Sequence, residues 1–273
     1  MAVTEITPEP GPGRLSGPEG RRWLPSSGLA TSIAGIVLLV VVWQIVGTTV
    51  FSRNGSVPTP TEILSQMRKD GFDFYWRNAT TTLIAAGKGW FWGNALALVL
   101  ALLVLIVPVL ERPIIQLGVT SYCLPVVAIG PVFAIVFNGE TPKVVLAGMS
   151  VFFTTLIGAL VGLRSADPTS LELVRAYGGG PVATLVKVRL RASLPSLFAA
   201  LRIAAPAAVL GAIIGEYLGA ERGLGVSMIN SQQSLEISRT WAIALVATAA
   251  AGLAYGATAL VGRLLTPWSP RGR

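Results

Sequence analysis

The sequence predicts an all-α, polytopic membrane protein of about six transmembrane helices. Only 12% of the 273 residues are charged and 52% are hydrophobic, and the charged share is roughly half that of a soluble domain. The hydrophobic residues are gathered in long runs, and a spanning helix needs about 20 such residues in succession. Composition and run length together place the chain in a lipid bilayer.

Six apolar stretches reach the length of a span. They are Trp23–Ser52, Gly89–Leu110, Pro113–Gly139, Val144–Leu163, about Ser196–Leu218 and Thr240–Gly262. The fifth stretch contains Arg202 and Glu216 near its ends, and a long arginine side chain can extend toward the interface. Leu124-Pro125, inside the third stretch, predicts a kink or a break.

The placement of Lys and Arg predicts that both termini are cytoplasmic. With the N-terminus inside, the cytoplasmic segments carry about twice as many Lys and Arg residues as the outer segments, as the positive-inside rule requires. Residues 1–27 are rich in Pro, Gly and Ser and are expected to be a disordered cytoplasmic tail. Residues 28–266 are the expected transmembrane domain, and residues 267–273 are the expected cytoplasmic C-terminal tail.

The residue inventory argues against chemistry within this chain. Histidine is absent and Cys123 is the single cysteine, which excludes an intrachain disulfide and a cluster of Cys and His metal ligands. The Gly-x-x-x-x-Gly-Lys-Ser/Thr phosphate loop is also absent, so ATP is not expected to bind here in the usual way. We therefore expect no catalytic residues, no metal and no cofactor in this chain. The net charge of +8 suggests nucleic acid in a soluble protein, but membrane topology better explains basic residues beside apolar spans.

A polar, basic insert, residues 165–195, separates the fourth and fifth spans. Asp167-Pro168 is typical of a helix start, because Asp caps free N–H groups and Pro fits the first helical position. The helix that follows carries Leu171, Val174 and Tyr177 on one side. Gly178 to Gly180 end it.

A second short helix is predicted after this glycine run. It begins at Pro181, and Leu194-Pro195 is expected to break the chain before the fifth span. The insert is thus a helix-turn-helix on the cytoplasmic surface, with an apolar face that needs a partner. Two interpretations stay open from pattern alone: an amphipathic loop on lipid headgroups, or a docking site for a second protein.

The insert resembles the cytoplasmic coupling loop of permease subunits in binding-protein-dependent ABC importers. Glu172, Gly178 and Leu190 match the family's Glu-Ala-Ala…Gly…Ile-x-Leu-Pro spacing, and Val188 stands for the isoleucine. The motif's final proline is replaced by arginine at position 191. A second Leu-Pro, residues 194 and 195, follows as in the nitrate/sulfonate/taurine/pyrimidine-precursor branch of the family.

Other segments resemble the same branch, so the similarity covers roughly residues 30–265. Gly215 to Gly225 is similar to its Glu-x-Leu-Gly-Ala-x-x-Gly-Leu-Gly segment, and Pro58-Thr-Pro60 to its Pro-Ser-Pro. Asn78 to Leu83 takes the place of a His-x-Ser-Leu segment, with Asn for His. Leu124 to Gly139 is similar to its proline-containing third span.

The resemblance implies a permease subunit of the bacterial inner membrane. Such a subunit forms the translocation pathway for a small solute that an external binding protein delivers. Its implied partners are a dimer of separate ATPase chains, which hold ATP and Mg, and a second permease that is identical or similar. The implied ATPase-coupling residues are Leu171, Glu172, Val174, Tyr177, Gly178, Val188 and Leu190.

Gate or pore candidates lie at the end of the fifth span: Glu216, Gly219, Gly223 and Gly225. Glu216 is either a pore-lining acid or a structural carboxylate that holds the glycine-rich turn, and its position near the span end favours the structural role. The glycines could cradle an anion through backbone N–H groups, but a tight re-entrant turn near the outer gate is favoured.

Two other functions are weaker on these residues. An ion-coupled secondary transporter needs acids within its spans, and Glu216 is the single candidate in the predicted spans. An intramembrane enzyme would have to build a general base or a metal site without histidine.

Overall fold

The computed structural model describes residues 28–50 and 57–268, and within these ranges the chain is helical with no β-strand. The helices are α1 (Gly28–Thr49), α2 (Pro60–Asp70), α3 (Phe72–Ile106), α4 (Glu111–Cys123), α5 (Val126–Val136), α6 (Thr141–Arg164), α7 (Pro168–Ala176), α8 (Pro181–Thr184), α9 (Leu190–Glu216), α10 (Leu224–Gln233) and α11 (Ile237–Leu265). A 3-10 turn precedes α4, and a π-helical turn, Leu185–Arg189, joins α8 to α9. The predicted tail 1–27 and most of the tail 267–273 lie outside the described residues.

Five helical segments are long and apolar enough to cross a membrane. They are Ala30–Thr49 within α1, then α3, α6, the continuous segment Pro181–Glu216 and α11. The segment Pro108–Cys123 and α5 pass the same test as a pair but meet at an angle of 97°, so they form a broken span or a re-entrant loop. This agrees with the prediction of about six spans and with the break at Leu124-Pro125.

The centre of the protein is a packed group of α3, α6 and α9. Small residues let their backbones come close, as is usual where helices pack within lipid. At Gly93 of α3 an added Cβ would lie 2.4 Å from the carbonyl oxygen of Gly148, and at Gly158 of α6 it would lie 2.3 Å from Cβ of Ala200. These contacts fix α6 between its two neighbours.

The predicted second span began too late. The structure starts α3 at Phe72, not at Gly89, and its first half carries Asn78 and Thr82. The predicted boundary followed the uncharged run that begins after Lys88, and Lys88 lies inside α3. The polar side chains of the first half are accommodated because they bond to the segment that follows α9.

The predicted break at Leu194-Pro195 is wrong. The helix runs from Pro181 through the π-helical turn and through Pro195 to Glu216 without interruption. A proline removes one backbone donor from a helix, but buried helices tolerate this where neighbours repair the loss. The second helix of the insert is therefore the beginning of the fifth span.

Candidate functional site

The two candidate regions lie at opposite ends of α9. At 1.5 Å per residue, the 27 residues of α9 separate them by about 40 Å. The first region is the α6–α9 loop, residues 165–189. The second is the glycine turn, residues 217–223, with the first residues of α10.

The start and end of α7 follow the predicted pattern. The Asp167 carboxylate accepts a hydrogen bond from the N–H of Ser170 at 3.1 Å, and Pro168 is the first residue of the helix. At the other end Gly178 has a φ of +78°, and the N–H of Gly179 donates to the carbonyl of Val174 at 2.8 Å. The cap and the glycine stop make α7 a well-defined short helix.

The α6–α9 loop exposes an apolar patch, which we call the loop patch and define as Leu173, Tyr177 and Val182. Their exposed fractions are 57%, 86% and 73%. Of these three, only Tyr177 is among the predicted coupling residues. The spacing of three residues from Leu171 passes over Leu173, and Val182 belongs to α8, after the glycine run.

The other predicted coupling residues are placed less uniformly. Leu171 and Val174 are half-buried, while Glu172 and Gly178 are exposed beside the patch. Val188 lies in the π-helical turn and Leu190 begins α9, so both belong to the helix that continues into the span. The structure thus brings Leu171, Glu172, Val174, Tyr177 and Gly178 together around α7. Val188 and Leu190 lie on the continuous helix Pro181–Glu216.

The glycine turn is organised by the carboxylate of Glu216, which is fully buried. It accepts hydrogen bonds from the Thr82 hydroxyl, at 2.8 and 3.0 Å to its two oxygens, and from the N–H of Gly225 at 2.7 Å. The Thr82 oxygen in turn accepts from the N–H of Leu224 at 2.9 Å. We call Glu216, Thr82 and these two amides the carboxylate lock.

Two glycines of the turn are required by this arrangement. Gly223 has a φ of +139°, and an added Cβ would lie 2.2 Å from the carboxyl carbon of Glu216. At Gly225 an added Cβ would lie 2.5 Å from the carbonyl oxygen of Ile213. Gly219 also has a positive φ, +118°, in open space. Because the Gly225 amide already binds Glu216, the geometry favours a structural carboxylate over an anion cradle.

Residues 93–271 match the protein family described as the inner membrane component of binding-protein-dependent transport systems. The chain belongs to this family. It is therefore a multi-pass protein of the bacterial inner membrane and the permease subunit of an ABC importer, a transport component rather than an enzyme. Such a permease works with an ATPase and with a solute-binding protein.

Named relatives align with the permease over most of their own length. A probable ABC transporter permease protein of Haemophilus influenzae is 29% identical, covering 78% of this chain and 86% of the relative. The formylaminopyrimidine transport permease protein ThiX of Halalkalibacterium halodurans is 26% identical, covering 85% and 93%. The taurine transport system permease protein TauC of Escherichia coli is 27% identical, covering 90% and 92%. These names agree with the predicted branch of the family.

A buried lysine adjoins the carboxylate lock of the permease. Lys143, in the first turn of α6, is 2% exposed and forms an ion pair with Glu140. Gly215 packs directly on it, since an added Cβ there would lie 2.4 Å from the Lys143 Cα. Lys143 directly precedes the predicted fourth span, and Glu140 three residues earlier is the local signal that could have identified the pair.

A second polar cluster at the same end of the permease joins α2, α3 and α11. The buried Asp70 carboxylate accepts from Arg239 Nε at 3.0 Å and Nη2 at 2.6 Å, from the Tyr75 hydroxyl at 2.7 Å and from Gln66 Nε2 at 2.8 Å. Arg239 also pairs with Glu236. Burial raises the pKa of Asp70, but the hydrogen bonds from Arg239, Tyr75 and Gln66 outweigh it and leave the pKa below its ordinary value. Sequence reasoning missed this cluster, because 169 positions separate Asp70 and Arg239.

We expect Asp70→Asn to lower the melting temperature of the purified permease at neutral pH and to flatten its dependence on acid. A carboxyl whose pKa is lower in the folded state stabilises the fold above its unfolded pKa, and that contribution is lost as the pH falls through the folded pKa. The wild-type melting temperature should therefore drop below about pH 4, and the variant should drop less. Asp73→Asn is the matched control, because its pair with Arg77 is exposed on both sides. Equal acid sensitivity of wild type and Asp70→Asn would contradict the assignment.

Proposed function

We propose that the permease docks its ATPase through the loop patch and that ATP and Mg, held by the ATPase, drive the transport cycle. The observation that carries this proposal is three large apolar side chains exposed on a capped, compact loop. An exposed apolar patch on an ordered element is typical of a protein contact. The alternative, a loop lying on lipid headgroups, would place aromatic and basic residues at the interface but gives no role to the glycine stop at Gly178.

The proposed coupling is mechanical. The loop continues without a break into the helix Pro181–Glu216, which we call the rod. A push on the loop patch is transmitted along the rod to Glu216. The carboxylate lock then sits where that movement arrives, next to the re-entrant glycine turn. We propose that the turn is the outer gate, and that a second permease, identical or similar, completes the pathway for a small solute delivered by the binding protein.

Family membership supports this importer and not the ion-coupled transporter. The carboxylate lock gives a physical reason. Glu216, on which the ion-coupled alternative depended, already accepts hydrogen bonds from Thr82 and Gly225. Both carboxylate oxygens of Glu216 already accept hydrogen bonds, so a cation would have to displace the Thr82 and Gly225 donors.

We expect Tyr177→Asp to weaken association of the ATPase with the permease by about tenfold or more, because a large apolar contact is lost and a charge must be desolvated. The measurement is co-purification from membranes with the amounts of both chains quantified. Leu235→Asp is the matched control, since it puts the same charge on a residue that is 82% exposed at the other end of the protein. An intact complex with unchanged transport in Tyr177→Asp would contradict the docking site.

We expect Gly223→Val to abolish solute uptake while leaving the ATPase bound. The substitution strains a positive φ and drives a side chain into the Glu216 carboxylate, far from the loop patch. Uptake and ATPase association are measured in the same variant. Gly256→Val in α11, where nothing lies within 4 Å, is the control and should keep both. Normal uptake in Gly223→Val would make the turn a mere connector, and loss of assembly would assign it to folding.

We also propose that both termini are cytoplasmic, on the Lys and Arg distribution. In a Cys123→Ser background, Gly11→Cys and Pro270→Cys should resist impermeant thiol reagents added to intact cells. Ser234→Cys, at the exposed end of α10, should react and serves as the positive control. Labelling at either terminal position would overturn this topology.

A further inference from the structure

A cleft of about 250 Å³ opens at the loop end of the helix bundle, where α3 and α6 finish and the π-helical turn passes beside them. Its walls are apolar: Val104, Leu160 and Leu163 are buried behind it, and Leu105 and Pro108 remain partly exposed in it. Its rim is charged, with Glu111, Arg164 and Arg189. We call this space the rim cleft.

We propose that the rim cleft binds an anionic phospholipid of the cytoplasmic leaflet, with the phosphate at Arg189 and Arg164 and an acyl chain along the apolar walls. This rests on the proposed topology, which puts the loop end of the bundle at the cytoplasmic face. The site is separate from the loop patch and from the carboxylate lock.

The charges of the rim do not balance. Arg164 forms an ion pair with Glu111 at 2.6 Å. Arg189 is half-buried and has no ion pair or hydrogen bond from its side chain to any residue in the part of the chain that the structure describes. Two guanidinium groups and one carboxylate leave one positive charge over. A guanidinium fork suits phosphate oxygens, which it can bind through two parallel N–H groups.

The apolar walls decide between the possible anions. A free phosphate would satisfy Arg189 but would leave the apolar side of the cleft, where Leu105 is half-buried and Pro108 is exposed, in contact with water. A phospholipid satisfies both parts of the cleft, because its headgroup and its chain are adjacent. The ends of the spanning helices α3 and α6 lie at the depth of the lipid headgroups, and Lys or Arg residues near the membrane surface attract anionic lipids.

The position of Arg189 connects lipid binding to the α6–α9 loop. Arg164 is the last residue of α6 and Arg189 the last of the π-helical turn, so they stand where the chain enters and leaves the α6–α9 loop. A phosphate that contacts both arginines closes the base of the loop, beside the hydrogen bond from the Ser165 hydroxyl to the carbonyl of Ala192 at 3.3 Å. Bound lipid is therefore expected to raise the melting temperature of the permease.

The test uses the full-length permease purified in a neutral detergent, with phosphatidylglycerol or phosphatidylcholine of identical acyl chains added. We expect phosphatidylglycerol to raise the melting temperature by several degrees more than phosphatidylcholine, and native mass spectrometry to show it retained. Arg189→Gln should lose this difference. Arg191→Gln is the matched control, because Arg191 is exposed, lies two residues away and does not line the cleft. A full phosphatidylglycerol effect in Arg189→Gln overturns the proposal.

A second variant tests the apolar part of the cleft without removing its charges. It also keeps the proposal testable if Arg189→Gln does not fold. Leu105→Trp narrows the cleft and keeps both arginines. We expect it to retain less phosphatidylglycerol than wild type, and unchanged retention would overturn the acyl-chain site.

Soluble anions identify the source of the phosphate. Inorganic phosphate and glycerol phosphate, at millimolar concentration, should not reproduce the stabilisation. If either does so in an Arg189-dependent way, the cleft binds a free phosphate and the lipid assignment is wrong. None of these measurements contains the ATPase, so their outcome is independent of whether the loop patch is the docking site.

Discussion

The continuous helical rod Pro181–Glu216 is the constraint on which the rest of this permease depends. It carries the α6–α9 loop at one end and the carboxylate lock at the other, and it packs along α6 through most of its length. Gly211 and Gly215 bring its backbone so close to α6 that an added Cβ would lie 2.8 Å from the Cα of Ala147 or 2.4 Å from that of Lys143. Because helices packed this closely do not shift past each other continuously, the two helices are expected to move as one body.

The two ends of the rod differ in what their side chains contact. At the glycine turn the polar groups bond within the chain: Glu216 to Thr82 and Gly225, and Asp70 to Arg239. Hydrogen bonds to a charged group are worth about 1.5–3 kcal/mol each, so this end holds a defined arrangement without help. At the loop end Leu173, Tyr177 and Val182 of the loop patch face outward on an ordered loop, an arrangement typical of a protein contact. The difference agrees with the proposed docking at the loop end and the proposed gate at the other.

The sequence could predict what depends on local pattern. The spans, the cap at Asp167 and the stop at Gly178 each follow from a few neighbouring residues. The start of α3 was not predicted because Lys88 interrupts the uncharged run, and the buried role of Thr82 shows only when the distant Glu216 and Leu224 are placed beside it. The pairing of Asp70 with Arg239 fails for the same reason, since it requires knowing that α2 packs on α11. Long-range polar contacts leave no periodicity to detect.

The departure from the family motif at Arg191 bears on the rod itself. A proline there would remove one N–H group from the helical ladder just after the π-helical turn, at the point where the loop becomes the span. Arg191 keeps that donor, and the N–H of Leu190 before it bonds to the carbonyl of Leu185. The remaining prolines, Pro195 and Pro206, lie within α9, beside α6 and α3, where packing supports the helix. The π-helical turn is therefore where the hydrogen-bond pattern changes between loop and span. Arg189, at the end of this turn, lines the rim cleft, so an anion bound there would contact the segment through which the proposed coupling passes.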